Sequence, residues 1–192
     1  MSRPLSLVAA VLAASLVFVA CGKSEEPKRS ARGNPADPVG TEGAYLSLEP
    51  LTYQVQISRQ LNPRDIEDRA YLEGLPPAQR RLRPNETWFG VFLRVANDGD
   101  HTAKAAGQFR IFDTERNMYR PVPLGAGNAF AYRALPVGPG RQVPDPNSVA
   151  GQGSIQGTVV VFKLRYDTLQ NRPVVFEIVD DEARRAEVDL DI

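Results

Sequence analysis

The chain is poor in the residues that most often carry chemistry. Its 192 residues include one cysteine, one histidine, one tryptophan and two methionines. A lone Cys21 excludes an intramolecular disulfide, so any fold has to be held by a packed core. One histidine and one internal methionine, Met118, fall short of the imidazole and soft-ligand sets that zinc and copper sites need. Neither charge sign dominates: 23 basic residues face 23 acidic ones. That balance removes the basic face expected of a nucleic-acid-binding protein and any strong pull toward an anionic bilayer. No internal repeat is present, and no nucleic-acid partner and no cofactor are expected.

What is present begins with an apolar stretch. Leu5–Ala20 is interrupted only by Ser6 and Ser15, follows the single positive charge of Arg3, and ends in small residues. This is the n-region, h-region and cleavage-site layout of a secretory signal. The run is short of the about 20 apolar residues that a spanning helix uses, and no basic stop-transfer cluster follows at once. The alternatives are an ordinary signal peptide beside an incidental cysteine, or an uncut signal anchor. Phe18-Val19-Ala20-Cys21, followed by Gly22, resembles the lipobox of bacterial lipoproteins, with Phe18 departing from the usual leucine. The resemblance implies a diacylglycerol on the Cys21 thiol and cleavage between Ala20 and Cys21. A thiol is a strong and selective nucleophile, which suits a single attachment point. Each buried methylene contributes about 0.8 kcal/mol, so two long acyl chains hold where one short chain would not.

Three segments follow: a signal peptide at 1–20, a lipidated cysteine with a tether at 21–43, and a folded domain at 44–192. Without Arg3 the mature chain has 22 basic and 23 acidic residues. Residues 22–43, GKSEEPKRSARGNPADPVGTEG, hold Val39 as their only large aliphatic and bury too little apolar area to offset ordering. As a flexible coil they would span roughly 26 Å. About 150 residues then remain for one domain, enough for a single core.

The domain reads as strands. In LTYQVQIS, Leu51, Tyr53, Val55 and Ile57 alternate with polar residues, the mark of a half-exposed strand. In WFGVFLRVAN, Phe89, Val91, Leu93 and Val95 share one face while Trp88 and Phe92 share the other. The spacing predicts a central strand covered on both sides, with Gly90 at a bulge or close approach. Asn97-Asp98-Gly99-Asp100 supplies turn residues that tolerate positive φ. Phe109–Asp113 and Met118–Val122 form an expected hairpin. Further strands are expected over Ser154–Arg165, around Val174, Phe176 and Ile178, and at Ala186–Ile192. Glu187, Asp189 and Asp191 should make the last strand an acidic edge that resists pairing. Asn62–Thr87 is long and charged, with a short helix opened by Asn62-Pro63 and closed by Gly74. Pro121–Gly153 contains six prolines and six glycines and reads mainly as loop. Many short strands with such connections predict an all-β sandwich.

VFLRVANDGD, FRIFDTERNMYRP, GSIQGTVVVFKL and RPVVFEI, in that order, resemble secreted bacterial immunoglobulin-like domains of unknown function. The resemblance covers roughly 44–192. It implies an immunoglobulin-like β-sandwich outside the cytoplasmic membrane and offers no catalytic residues to transfer.

Candidate sites are few. His101 follows Asp100 in a polar turn without a Gly-x-Ser-x-Gly elbow, so a solvated loop residue is expected. Calcium could find oxygens at Asp98, Asp100 and Asp113, or at Asp180, Asp181 and Glu182, but neither set has EF-hand spacing. Gly125-Ala-Gly-Asn and Gly138-Pro-Gly-Arg lack the Gly-Lys-Ser/Thr continuation of a phosphate loop. Asn85-Glu86-Thr87 is a glycosylation triplet without expected consequence. Arg64–Tyr71 gathers five charges around Ile66 and Tyr71, which are expected to dock on the sandwich. Long irregular loops are enriched in function, which directs attention to that stretch and to the loop around Tyr132.

The leading expectation is a non-enzymatic lipoprotein on the extracytoplasmic face of the cell membrane, displaying the sandwich to an envelope or protein partner. A small-ligand or solute-binding lipoprotein is the alternative and needs a concave apolar pocket. A hydrolase using Glu67 and Asp68 is a third reading.

Overall fold

The computed structural model describes residues 37–192. The signal peptide, Ala20, Cys21 and the tether as far as residue 36 lie outside the described residues. In chain order the strands are β1 (Val39–Thr41), β2 (Tyr45–Leu48), β3 (Leu51–Leu61), β4 (Glu86–Asn97), β5 (Ala103–Lys104), β6 (Gln108–Phe112), β7 (Met118–Tyr119), β8 (Pro136–Val137), β9 (Gln142–Val143), β10 (Thr158–Arg165), β11 (Val174–Val179) and β12 (Arg185–Leu190). Two short helices, α1 (Ile66–Tyr71) and α2 (Val149–Gln152), lie in the long connections.

Two sheets face each other. One has the order β1-β12-β11-β6-β7; the other runs β2-β3-β4-β10, with β9 also on β4. β5 and β8 form a separate ribbon. Taking β3, β4, β6, β7, β10, β11 and β12 as strands A, B, C, C′, E, F and G gives the pairings A-B-E and C′-C-F-G. That is the partition of an immunoglobulin sandwich. β1 adds a parallel strand beside β12.

The core lies between the sheets. Phe89, Val91, Leu93 and Val95 point inward from β4 and meet Ile111, Phe176, Ile178 and Val188. Phe176 stacks on Phe109 at 5.4 Å and meets Phe162 of the opposite sheet edge-on at 6.0 Å. Each fully buried side chain of this size contributes about 1.5–3 kcal/mol. The other face of β4 is covered too: Trp88 and Phe92 pack with Leu61, Tyr71, Leu72, Leu75, Val122, Val159 and Val161 in a second cluster. Gly90 is tight because a Cβ there would sit 3.1 Å from Leu61 and 3.2 Å from Val159.

Several local expectations change. The alternation of β3 stops at a bulge between Val55 and Ile57. One extra residue exchanges the two faces, so Ser58 is buried and Ile57 is 38% exposed. β12 is no edge, because β1 pairs along it from Val39 to Thr41. Those residues belong to the sheet rather than to a tether reaching 43. Glu187 and the neighbouring Glu177 are buried, and Glu177 pairs with Arg110 at 2.9 Å and Arg185 at 3.4 Å. The helix is capped by Asp65, not Asn62: its carboxylate accepts from the backbone N–H groups of Glu67 and Asp68. At the 97–100 turn, Asn97 Oδ1 accepts from Gly99 N, and no positive φ is used. Gly99 is needed for space, since a Cβ would fall 2.5 Å from Pro50.

Candidate interaction surface

The two loops singled out in the sequence meet each other. The 62–85 excursion folds back over the outer face of the β2-β3-β4-β10 sheet. The segment from 121 to 134 runs along the free edge of β10, where Val122 N donates to Val161 O and Tyr132 N to Val159 O. Asn128 joins them: its amide nitrogen donates to the carbonyls of Ala70, Tyr71 and Glu73 at 2.8–3.2 Å. Its oxygen accepts from Phe130 N and Ala131 N. Gly74 (φ +77) and Gly125 touch backbone to backbone; a Cβ on Gly74 would sit 2.8 Å from Gly125 N. Tyr71 completes the joint edge-on between Phe92 at 4.9 Å and Phe130 at 5.0 Å. Tyr71 docks as expected, but Ile66 is 77% exposed.

The carboxylates of this platform are already engaged. Asp68 is buried and accepts from Arg59 at 2.6 Å and from Asn62 N at 2.6 Å, holding the entry of the excursion against β3. Its hydrogen bond holds the Arg59 guanidinium above its usual pKa. Glu67 accepts from the hydroxyls of Ser154 and Tyr71, which keep its carboxyl below the usual range. A depressed carboxyl stays ionised near neutrality, the wrong state for a general acid. Glu67 and Asp68 thus have identifiable structural duties.

The remaining sequence candidates fall in separate places. His101 is exposed and its Nδ1 lies 2.9 Å from Asp100. This contact lowers the Asp100 carboxyl. The first acidic set is not brought together. Asp98 and Asp100 follow β4 at the end of the sandwich shared with Asp180. Asp113 closes β6 at the opposite end, accepting from Asn117 and Thr168. In the second set, Asp180 accepts from Glu182 N, Arg184 N and Arg184 Nε, and Asp181 pairs with Lys104 at 2.9 Å. Among the described residues no group of three His, Cys, Asp or Glu is placed to hold a metal ion. Gly125 belongs to the Gly74 contact, and Gly138–Arg141 forms the turn that leads into β9.

A cavity of about 240 Å³ lies at the seam between the sheets, lined by Phe109, Val122, Leu124, Tyr132, Arg133 and Val159 among others. Its polar side chains are committed. Tyr132 donates its hydroxyl to Ala106 O, and Arg133 donates to the carbonyls of Leu124, Gly125 and Tyr132. Burial pushes the Tyr132 phenol well above its ordinary pKa.

One broad face remains open. Beyond the bulge, among the described residues, Tyr45 and Ser47 are exposed and Gln54 and Arg94 half-buried on the outer side of β2, β3 and β4, and Tyr45, Gln54 and Arg94 stand in register across it. Tyr45 is 69% exposed. Gln56 donates to Gln54 Oε1 at 2.5 Å, and Gln54 donates to Gly43 O. Arg94 donates to Gln142 Oε1 at 2.5 Å, and Gln142 donates to Pro144 O. Beside Arg94 the face opens into a groove of about 470 Å³, lined by Gln142, Gln152, Gln156, Pro144 and Pro146. This surface was not foreseen, because the sequence scatters its residues from 45 to 156.

Fold and surface together define an immunoglobulin-like β-sandwich with one loop-covered and one open area on the same sheet. No family model matches the chain, and no curated protein matches it. Several solved structures are similar in outline. The yjhA protein of Bacillus subtilis gives a TM-score of 0.47 at 11% identity, over 79% of this chain and 99% of that one. An uncharacterized β-sandwich protein of Clostridium difficile 630 gives 0.45 at 10% identity, over 86% and 100%. A conserved hypothetical protein of Bacillus anthracis gives 0.44 at 7% identity, over 77% and 93%. Likeness at this level carries no functional inference.

Proposed function

We propose that the chain is a lipid-anchored extracytoplasmic protein that displays its sandwich as a non-enzymatic interaction module. The anchor rests on the Leu5–Ala20 run and on Cys21 placed after Phe18-Val19-Ala20. Cys21 stands 18 positions before the first strand residue, Val39, a spacing that lets the domain clear a bilayer. The observation that carries the display role is the division of the surface. Asp68, Asp113, Glu177 and Asp180 are all taken up in structural contacts, whereas the described residues leave open a polar face ordered by its own hydrogen bonds.

A Cys21→Ser variant tests the reading. The native chain is expected to take up a palmitate label, while the variant takes up none and its circular dichroism is unchanged. Label on the variant, or none on the native chain, would remove the lipid anchor. The second reading, a solute-binding lipoprotein, is favoured by the seam cavity at Tyr132. That cavity's volume of about 240 Å³ falls below the roughly 300–1,000 Å³ of small-molecule pockets, and its polar side chains already bond backbone carbonyls, so it supports this reading less than the polar face supports display.

A further inference from the structure

Resting on the display reading, we infer that the open face of the β2-β3-β4 sheet, with the groove beside Arg94, binds a neutral polysaccharide. The first ground is charge. Tyr45, Gln54, Gln56, Gln142, Gln152 and Gln156 surround a single cation, Arg94. The charges at the margin have partners: Asp98 accepts from Thr52 at 2.9 Å, and Arg141 lies 4.0 Å from Asp145. An acidic or basic polymer would gain little here, because attraction of that kind scales with the charges neutralised.

The second ground is hydrogen-bond type. A carboxamide is donor and acceptor at once, and so is each hydroxyl of a sugar. Five glutamines on one surface match a partner dense in such groups. Their order matters too. The Gln56-Gln54-Gly43 chain and the Arg94-Gln142-Pro144 chain fix three of these glutamines, and Arg94 with them, before any ligand arrives. Pre-ordering reduces the side-chain entropy lost on binding. The third ground is shape. Tyr45 offers an exposed ring at one border, an apolar surface with a polar tip on which a sugar ring can stack. From β2 across β3 and β4 to β9 the surface covers three strand spacings, about 14 Å. That suits several linked sugars rather than one, with the groove receiving the far end.

The test uses the full-length protein in a polyoxyethylene-ether detergent, which carries no sugar headgroup. It is passed over immobilised cellulose, xylan, mannan and dextran, with heparin as the charged control. Retention on at least one neutral polymer is expected, unchanged between about 50 and about 500 mM salt, where charge-based binding would be screened. Tyr45→Ala and the pair Arg94→Ala with Gln142→Ala should each weaken it by about fivefold or more, the loss of roughly one hydrogen bond or stacking contact. Met118→Ala, on the other sheet, should leave it unchanged. No retention on any of the four, retention on heparin alone that salt abolishes, or retention indifferent to the Tyr45 and Arg94 variants would overturn the inference. Acylation at Cys21 without glycan retention leaves display standing, whereas retention by a chain lacking acyl groups does the reverse.

Discussion

The carboxamide of Asn128 holds together two loops that are more than fifty residues apart, through three donated and two accepted hydrogen bonds. Burying such a group is stable only while all its partners are present. Asn128→Ala is expected to cost about 3 kcal/mol, read as a lowered midpoint in urea unfolding. The buried phenols set an alkaline limit. Burial is the largest cause pushing Tyr53 and Tyr71 each up to about 12, and it raises Tyr132 as well. Their folded values lie above the unfolded value near 10, so neutral phenols stabilise the fold fully below about pH 10. That contribution is lost as pH rises through about 12. Phenolate absorbance and loss of near-ultraviolet circular dichroism should therefore develop together over that range. Phenolate formation without loss of structure would contradict the assignment. Tyr71 and Tyr132 could be flagged from the sequence because each is an aromatic residue inside a long polar connection. Asn128 and Ser154 could not, since their partners are distant in the chain and nothing local marks them.

At the scale of elements, alternation made the long strands readable. Phe89 to Val95 and Trp88 with Phe92 face the two sides that their spacing requires. Short elements escaped: β5, β8 and β9 have two residues each, too few for a period. The bulge in β3 escaped as well, because Ile57 continues the apolar pattern even though the register shift turns it outward. A one-residue shift is set by pairing with β4 and by Glu42, whose carboxylate holds Ser58 and also accepts from Asp191 N. Where elements meet, the Gly74–Gly125 contact makes a specific prediction. Gly74→Ala adds a Cβ at a positive φ and against backbone, and should cost about 1–3 kcal/mol. The sandwich should survive while proteolysis within 62–85 accelerates, followed by mass spectrometry of the fragments; unchanged cleavage would show that the contact does not hold the loop.

For the whole molecule, a sandwich of two sheets follows from many short strands joined by Gly- and Pro-rich connections, and this much was legible. The parallel addition of β1 was not, because Val39 sits in a segment too polar to announce a strand. The open polar face was equally hidden, being assembled from five separate parts of the chain. The proposed lipid anchor is tested most directly by intact-mass and fragment mass spectrometry of the N-terminal peptide from membrane-extracted protein. A chain that starts at Cys21 and bears diacylglycerol on its sulfur is expected. A start at any other residue, or an unmodified Cys21 in the membrane fraction, would contradict it.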